Sequence, residues 1–131
     1  MLEEIYILQK SSGITLFFMN LMNGMPHSKQ QPELFSGALQ GIRLILSECN
    51  IGELTEFITN NHRIEIRCNP EIIFVLVAEL NEPSHEILES IVDNLTKHFS
   101  NKFNKEVRTF FGDIGVFNCF EQDVKNYLKF S

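Results

Sequence analysis

The chain reads as an α+β domain, one five-stranded antiparallel sheet with amphipathic helices on both of its faces. Two observations carry that expectation. Two strand-length runs, at 14–22 and 72–78, are apolar on both sides, as strands covered above and below must be. Three helical stripes each need one apolar surface to cover. Counting faces puts one helix on one side of the sheet and two on the other, in the order β-β-α-β-β-β-α-α. The length agrees, because 131 residues make one domain, 1–131, rather than two. A chain of that size buries roughly two-thirds of its unfolded surface and needs no disulfide or metal staple.

Residues 4–9 and 14–22 flank the polar turn Lys10-Ser11-Ser12-Gly13, which predicts a β-hairpin. In the second run Ile14, Leu16 and Phe18 share one face while Phe17 and Met19 take the other. The stretch 23–31 has turn formers and no period, so it reads as a loop that includes His27. Pro32 and Glu33 suit a first helical turn, one by its missing N–H and the other by the helix dipole. Phe35, Ala38, Leu39, Ile42, Ile45 and Leu46 then recur at helical spacing and predict the buried stripe. Gly37 and Gly41 lie beside it, four residues apart, and strip one flank of side chains.

Three more strands are expected at 53–59, 63–68 and 72–80, punctuated by Asn60-Asn61 and Asn69-Pro70. Arg63-Ile64-Glu65-Ile66-Arg67 alternates strictly, so one of its faces is wet or partly covered, whereas 72–78 is central and the strand beginning near Glu53 lies toward an edge. Ser84 is placed to cap a second long helix with Ile87, Leu88, Ile91, Val92, Leu95, His98, Phe99 and Phe103 on its buried side, fraying at 102–105. Phe117, Phe120, Val124, Tyr127 and Leu128 predict a third helix.

Composition excludes several functions. The 17 acidic residues outnumber 11 basic ones, and the net charge of −6 argues against nucleic acid or anionic lipid as a partner. Cys49, Cys68 and Cys119 are odd in number and widely spaced, which excludes a disulfide framework or a CxxC zinc site and fits reduced cytoplasmic thiols. The acidic start Met1-Leu2-Glu3-Glu4 is unlike a secretory signal, and no apolar run reaches the roughly 18 residues of a membrane span. Lipidation motifs are also missing.

No catalytic constellation is legible. His27, His62, His85 and His98 share no spacing, and Cys49 and Cys68 read as small buried hydrophobes. Glu86 and Glu89 sit where a solvated helix flank would carry them. Ser11-Ser12-Gly13 and 112–115 lack the helix or lysine of a phosphate loop. The expectation is therefore a chain that is not an enzyme and holds no metal or cofactor. The smooth helix flank, with Gln40, Leu44 and Glu48 beside the glycines, is the docking surface this leaves. A ligand sensor is the alternative, with Phe17, Phe18, Phe74, Phe99, Phe110 and Phe111 lining a pocket.

With the hairpin Ile5-Tyr6-Ile7-Leu8 and Ile14-Thr15-Leu16-Phe17-Phe18, and a helix opening Pro32-Glu33-Leu34-Phe35-Ser36-Gly37-Ala38-Leu39, the chain resembles the longin domain family over nearly its whole length. Its nearest likeness is to stand-alone longin-like proteins of archaea; the related roadblock domains begin with an additional helix. The resemblance implies a profilin-like sheet and function by binding: a homo- or heterodimer with another longin or roadblock domain, serving a small GTPase or a vesicle-trafficking type of complex. The heptad helix and anchor of a membrane-fusion longin protein do not follow here. Pairing in the family often uses the first helix and third strand, which by element are Gly37, Gln40, Gly41, Leu44 and Glu48 with Leu54, Glu56 and Ile58.

Overall fold

A computed structural model describes residues 1–22, 31–110 and 112–129. Its elements are β1 (Leu2–Gln9), β2 (Thr15–Asn20), α1 (Gln31–Glu48), β3 (Glu56–Ile58), β4 (His62–Cys68), β5 (Ile72–Glu79), α2 (His85–Arg108), a 3₁₀ turn (Ile114–Phe117) and α3 (Phe120–Lys129). The five strands form one sheet in the order β2-β1-β5-β4-β3, antiparallel at every pairing. The class is thus α+β with a central β5, and β2 and β3 are the sheet edges. The turn segment containing His27 lies outside the described residues, as does Phe111.

Local chemistry sets the strand ends. Gly13, at φ 76°, closes the first hairpin with its N–H on the Gln9 carbonyl at 2.8 Å. Between β4 and β5 the Asn69 Oδ1 accepts from the backbone N–H of both Glu71 and Ile72 at 2.9 Å. α1 ends with Asn50 left-handed at φ 56° and Ile51 N–H on the Leu46 carbonyl at 2.9 Å, so its last carbonyls are satisfied within the chain. β3 has three residues, Glu56–Ile58, within the 53–59 that sequence alone assigns to a strand; residues 53–55 are irregular.

Two apolar clusters lie on opposite faces of the sheet. On one, Ile5, Ile7, Ile72, Phe74 and Leu76 meet Leu88, Val92, Leu95 and Phe99 of α2 and Phe120 and Val124 of α3. On the other, Tyr6, Leu8, Ile64, Ile66, Ile73 and Val75 meet Leu39 and Phe35 of α1. Phe99, Phe103, Phe117 and Phe120 form the densest part, with edge-to-face contacts of 5.0 Å between Phe99 and Phe120 and 5.4 Å between Phe103 and Phe117.

Four expectations about α1 and α2 are corrected. Only Leu39 of the predicted α1 stripe is fully buried, while Ala38, Ile42 and Ile45 face solvent. The helix is rolled so that polar residues meet the hairpin: Ser36 Oγ lies 2.7 Å from Thr15 Oγ1, and Gln40 packs beside Gly13. Ser84 stands at the α2 N-cap but makes no side-chain capping bond. His98 and Ile87 are exposed rather than buried, and α2 continues to Arg108 because Val107 still reaches the core.

Candidate interaction surface and a charged seam

The outward side of α1 carries Leu34, Ile42, Leu44 and Ile45 at 72%, 42%, 57% and 63% exposure. Single exposed apolar side chains are ordinary, but four within three turns of one helix make a patch. Gly37 and Gly41 sit among them, and a Cβ added at either meets nothing within 4 Å. The glycines are therefore not there to let α1 approach its own sheet. They leave that flank of α1 without side chains.

Not all of the predicted surface is free. Leu44 and Glu48 are exposed, but Gln40 accepts from Arg43 Nη1 at 3.0 Å and packs on the β1–β2 turn. Leu54 precedes β3 and packs into the cluster beneath α1. Glu56 turns to the opposite face, where its Oε2 accepts from Arg63 Nη1 at 3.0 Å. Ile58, on the edge strand, is 50% exposed. The usable surface is thus Leu34, Gly37, Ala38, Gly41, Ile42, Leu44 and Ile45, with Glu48 at its rim and Ile58 on the sheet edge. Leu34, Ala38, Ile42 and Ile45 could not be assigned to it by period alone, because α1 is apolar around more than half its circumference.

Beside this patch, Lys10 and Arg43 converge on Glu53, with Nζ 4.0 Å from Oε1 and Nη2 3.6 Å from Oε2. They line a cleft of about 520 Å³ with Ser47, Asn50 and Gly52. Cys68 lies against the same groups, and its burial pushes the thiol up, away from the reactive thiolate. Cys49, expected to be buried, is exposed, as is Cys119; both are free thiols, and among the described residues no histidine is ion-paired or hydrogen-bonded to either.

Across the sheet lies an arrangement that sequence reasoning passed over. Arg63, Glu65 and Arg67 alternate along β4 on the face toward α2, and His85, Glu89 and Asp93 recur every four residues along α2. The two spacings are close, about 7 Å per two strand residues and about 6 Å per four helical residues, so they zip together. Arg67 Nε donates to Asp93 Oδ1 at 2.8 Å, and Arg67 Nη1 reaches Glu65 Oε2 at 3.3 Å. His85 Nδ1 lies 3.2 Å from Glu65 Oε1 and 3.8 Å from Glu56 Oε2, and its Nε2 is 3.0 Å from Glu89 Oε1. The Glu65 side chain is 2% exposed. Burial, then the hydrogen bond and charge of Glu56, push its carboxyl above the ordinary range against the opposing pull of Arg67. Glu56, Glu65 and His85 are the described residues whose geometry could hold a metal ion.

Among the described residues, the two other histidines have structural partners. His62 Nε2 is 3.0 Å from Glu3 Oε1, and His98 Nε2 is 3.3 Å from Asp123. The phenylalanines proposed to line a pocket divide across the sheet: Phe17, Phe74, Phe99 and Phe110 join the α2/α3 cluster, and Phe18 joins that of α1. Among the described residues no helix is long and apolar enough to cross a membrane. Compared with known proteins, the chain matches no family model and no curated sequence.

Proposed function

We propose that this chain is a longin-like protein-interaction module that works by pairing through the outer face of α1, and not by catalysis. The observation that carries this reading is the open apolar face with two glycines at its centre. The element order, with α1 alone on one side of the sheet, agrees with it.

A second copy of the chain is the partner this face fits best. Crossing two α1 helices antiparallel about their midpoint sets Leu34 against Ile45, Gly37 against Ile42 and Ala38 against Gly41 of the other copy. Leu34 and Ile45 then meet each other at the ends and Ile42 meets a glycine nearer the middle, and the contact is isologous, as a two-fold dimer requires. A heterodimer with a related longin or roadblock domain would use the same face. Such a dimer would serve as scaffold or regulator of a small GTPase or trafficking-type complex in the cytoplasm, the role that the resemblance implies.

Sedimentation velocity at micromolar concentration tests the pairing. The wild-type chain is expected to sediment as a dimer and Gly41→Arg as a monomer with unchanged circular dichroism, because the added side chain meets open space. A monomeric wild type contradicts self-pairing, and a Gly41→Arg dimer contradicts the α1 interface.

A further inference from the structure

We infer that Glu56, Glu65 and His85 form a binding site for a first-row divalent cation such as zinc, joining edge strand β3 to β4 and α2. The ligand atoms belong to three different elements, and each lies within 4.8 Å of the other two. With sides of 3.8 Å and 3.2 Å at His85 Nδ1 and a third side no longer than 4.8 Å, a point roughly 1.9–2.4 Å from all three atoms exists. That window contains the 2.0–2.2 Å bonds that zinc makes to imidazole nitrogen and carboxylate oxygen.

The hydrogen-bond geometry points the same way. Arg63 Nη1, a donor, lies 3.0 Å from His85 Nδ1, and Glu89 Oε1, an acceptor, lies 3.0 Å from Nε2. A tautomer with its proton on Nε2 fits both contacts and leaves the Nδ1 lone pair beside Glu65 Oε1, 3.2 Å away, the carboxylate–histidine arrangement that orients metal-ligating imidazoles. Glu65 Oε1 is buried and makes no hydrogen bond among the described residues, with Arg63 Nη1 no nearer than 3.8 Å, so a bound cation would satisfy it.

Arg63 is the competitor. Its Nη1 lies 3.0 Å from Glu56 Oε2 and 3.0 Å from His85 Nδ1 but 3.8 Å from Glu65 Oε1, so it serves two of the three ligands and leaves the most buried one unmatched. Charge favours exchange, since the four carboxyl groups of Glu56, Glu65, Glu89 and Asp93 are gathered around the two guanidinium groups of Arg63 and Arg67. In the metal-bound state the guanidinium swings to the solvent edge, and its former place is open to water as a fourth ligand.

Zinc titration of the full chain by calorimetry at pH 7, with Co²⁺ substitution read by absorption, tests this. The wild type is expected to bind one zinc, His85→Gln and Glu65→Gln to weaken it at least tenfold, and Arg63→Met to tighten it. The Co²⁺ complex should show ligand-field bands without a thiolate charge-transfer band. His85 begins a helix at the surface, so His85→Gln keeps the test valid should Glu65→Gln unfold. No binding by wild type, binding indifferent to His85→Gln, or a thiolate spectrum from the exposed cysteines would each overturn the site.

Discussion

Asp123 shows how single residues fasten the helices. Its Oδ2 accepts from Lys102 Nζ at 2.6 Å and lies 3.3 Å from His98 Nε2, tying α3 to α2. Partial burial works against its ionisation, but the Lys102 hydrogen bond and charge, with those of His98, outweigh it and hold the carboxyl below its ordinary range. A carboxyl depressed in the fold stabilises above its unfolded value of about 3.9, and that stability is lost as pH falls through the folded value. Asp123→Asn is therefore expected to lower the melting temperature at pH 7 by a small, salt-sensitive amount, and calorimetry should show the difference closing below about pH 4. A larger effect belongs to Phe120, which is fully buried with rings of Phe17 and Phe99 against it at 5.4 Å and 5.0 Å. Phe120→Ala should cost about 3–5 kcal/mol in urea denaturation. At this scale the sequence shows the aromatic core plainly and hides the charged seam. Arg63, Glu65 and Arg67 alternate as a wet strand face does, and only the four-residue recurrence of His85, Glu89 and Asp93 betrays the helix that covers them.

Among the elements, α1 is where periodicity and structure part. Its apolar residues are broad enough around the helix to define two faces, and which one meets the sheet is decided by Ser36 bonding to Thr15 and by Gln40 and Arg43 reaching the hairpin and Glu53. Those polar contacts cross between elements far apart in sequence, so no local pattern announces them. β5, by contrast, is legible at sight, because a run apolar on both faces can only be central. The strand β3 is shorter than its composition suggests: it pairs with β4 over Glu56–Ile58, preceded by one further backbone bond from Ile66 N–H to the Thr55 carbonyl. The open glycines of α1 make an element-scale prediction. Gly41 is helical with free space around its Cβ position, so Gly41→Ala should raise stability by about 0.5–1 kcal/mol in denaturant titrations at a dilution where the chain is monomeric. A loss of stability instead would mean that the glycine is held by contacts within the fold.

At the level of the whole molecule the two faces of the sheet have different duties. The α2/α3 face holds the aromatic core and the charged seam, while the α1 face is covered by one helix whose outer side is apolar and open. This division is what the count of faces in the sequence implies, and the structure adds which side of α1 is turned outward. The central claim is that this outer side is a pairing surface. Backbone ¹H–¹⁵N shifts followed while the chain is diluted from millimolar to low micromolar concentration test it residue by residue. The account predicts changes concentrated on α1 from Leu34 to Glu48 and weak or absent on α2 and α3. Shifts that do not move with concentration, or that move on the α2/α3 side instead, would contradict it.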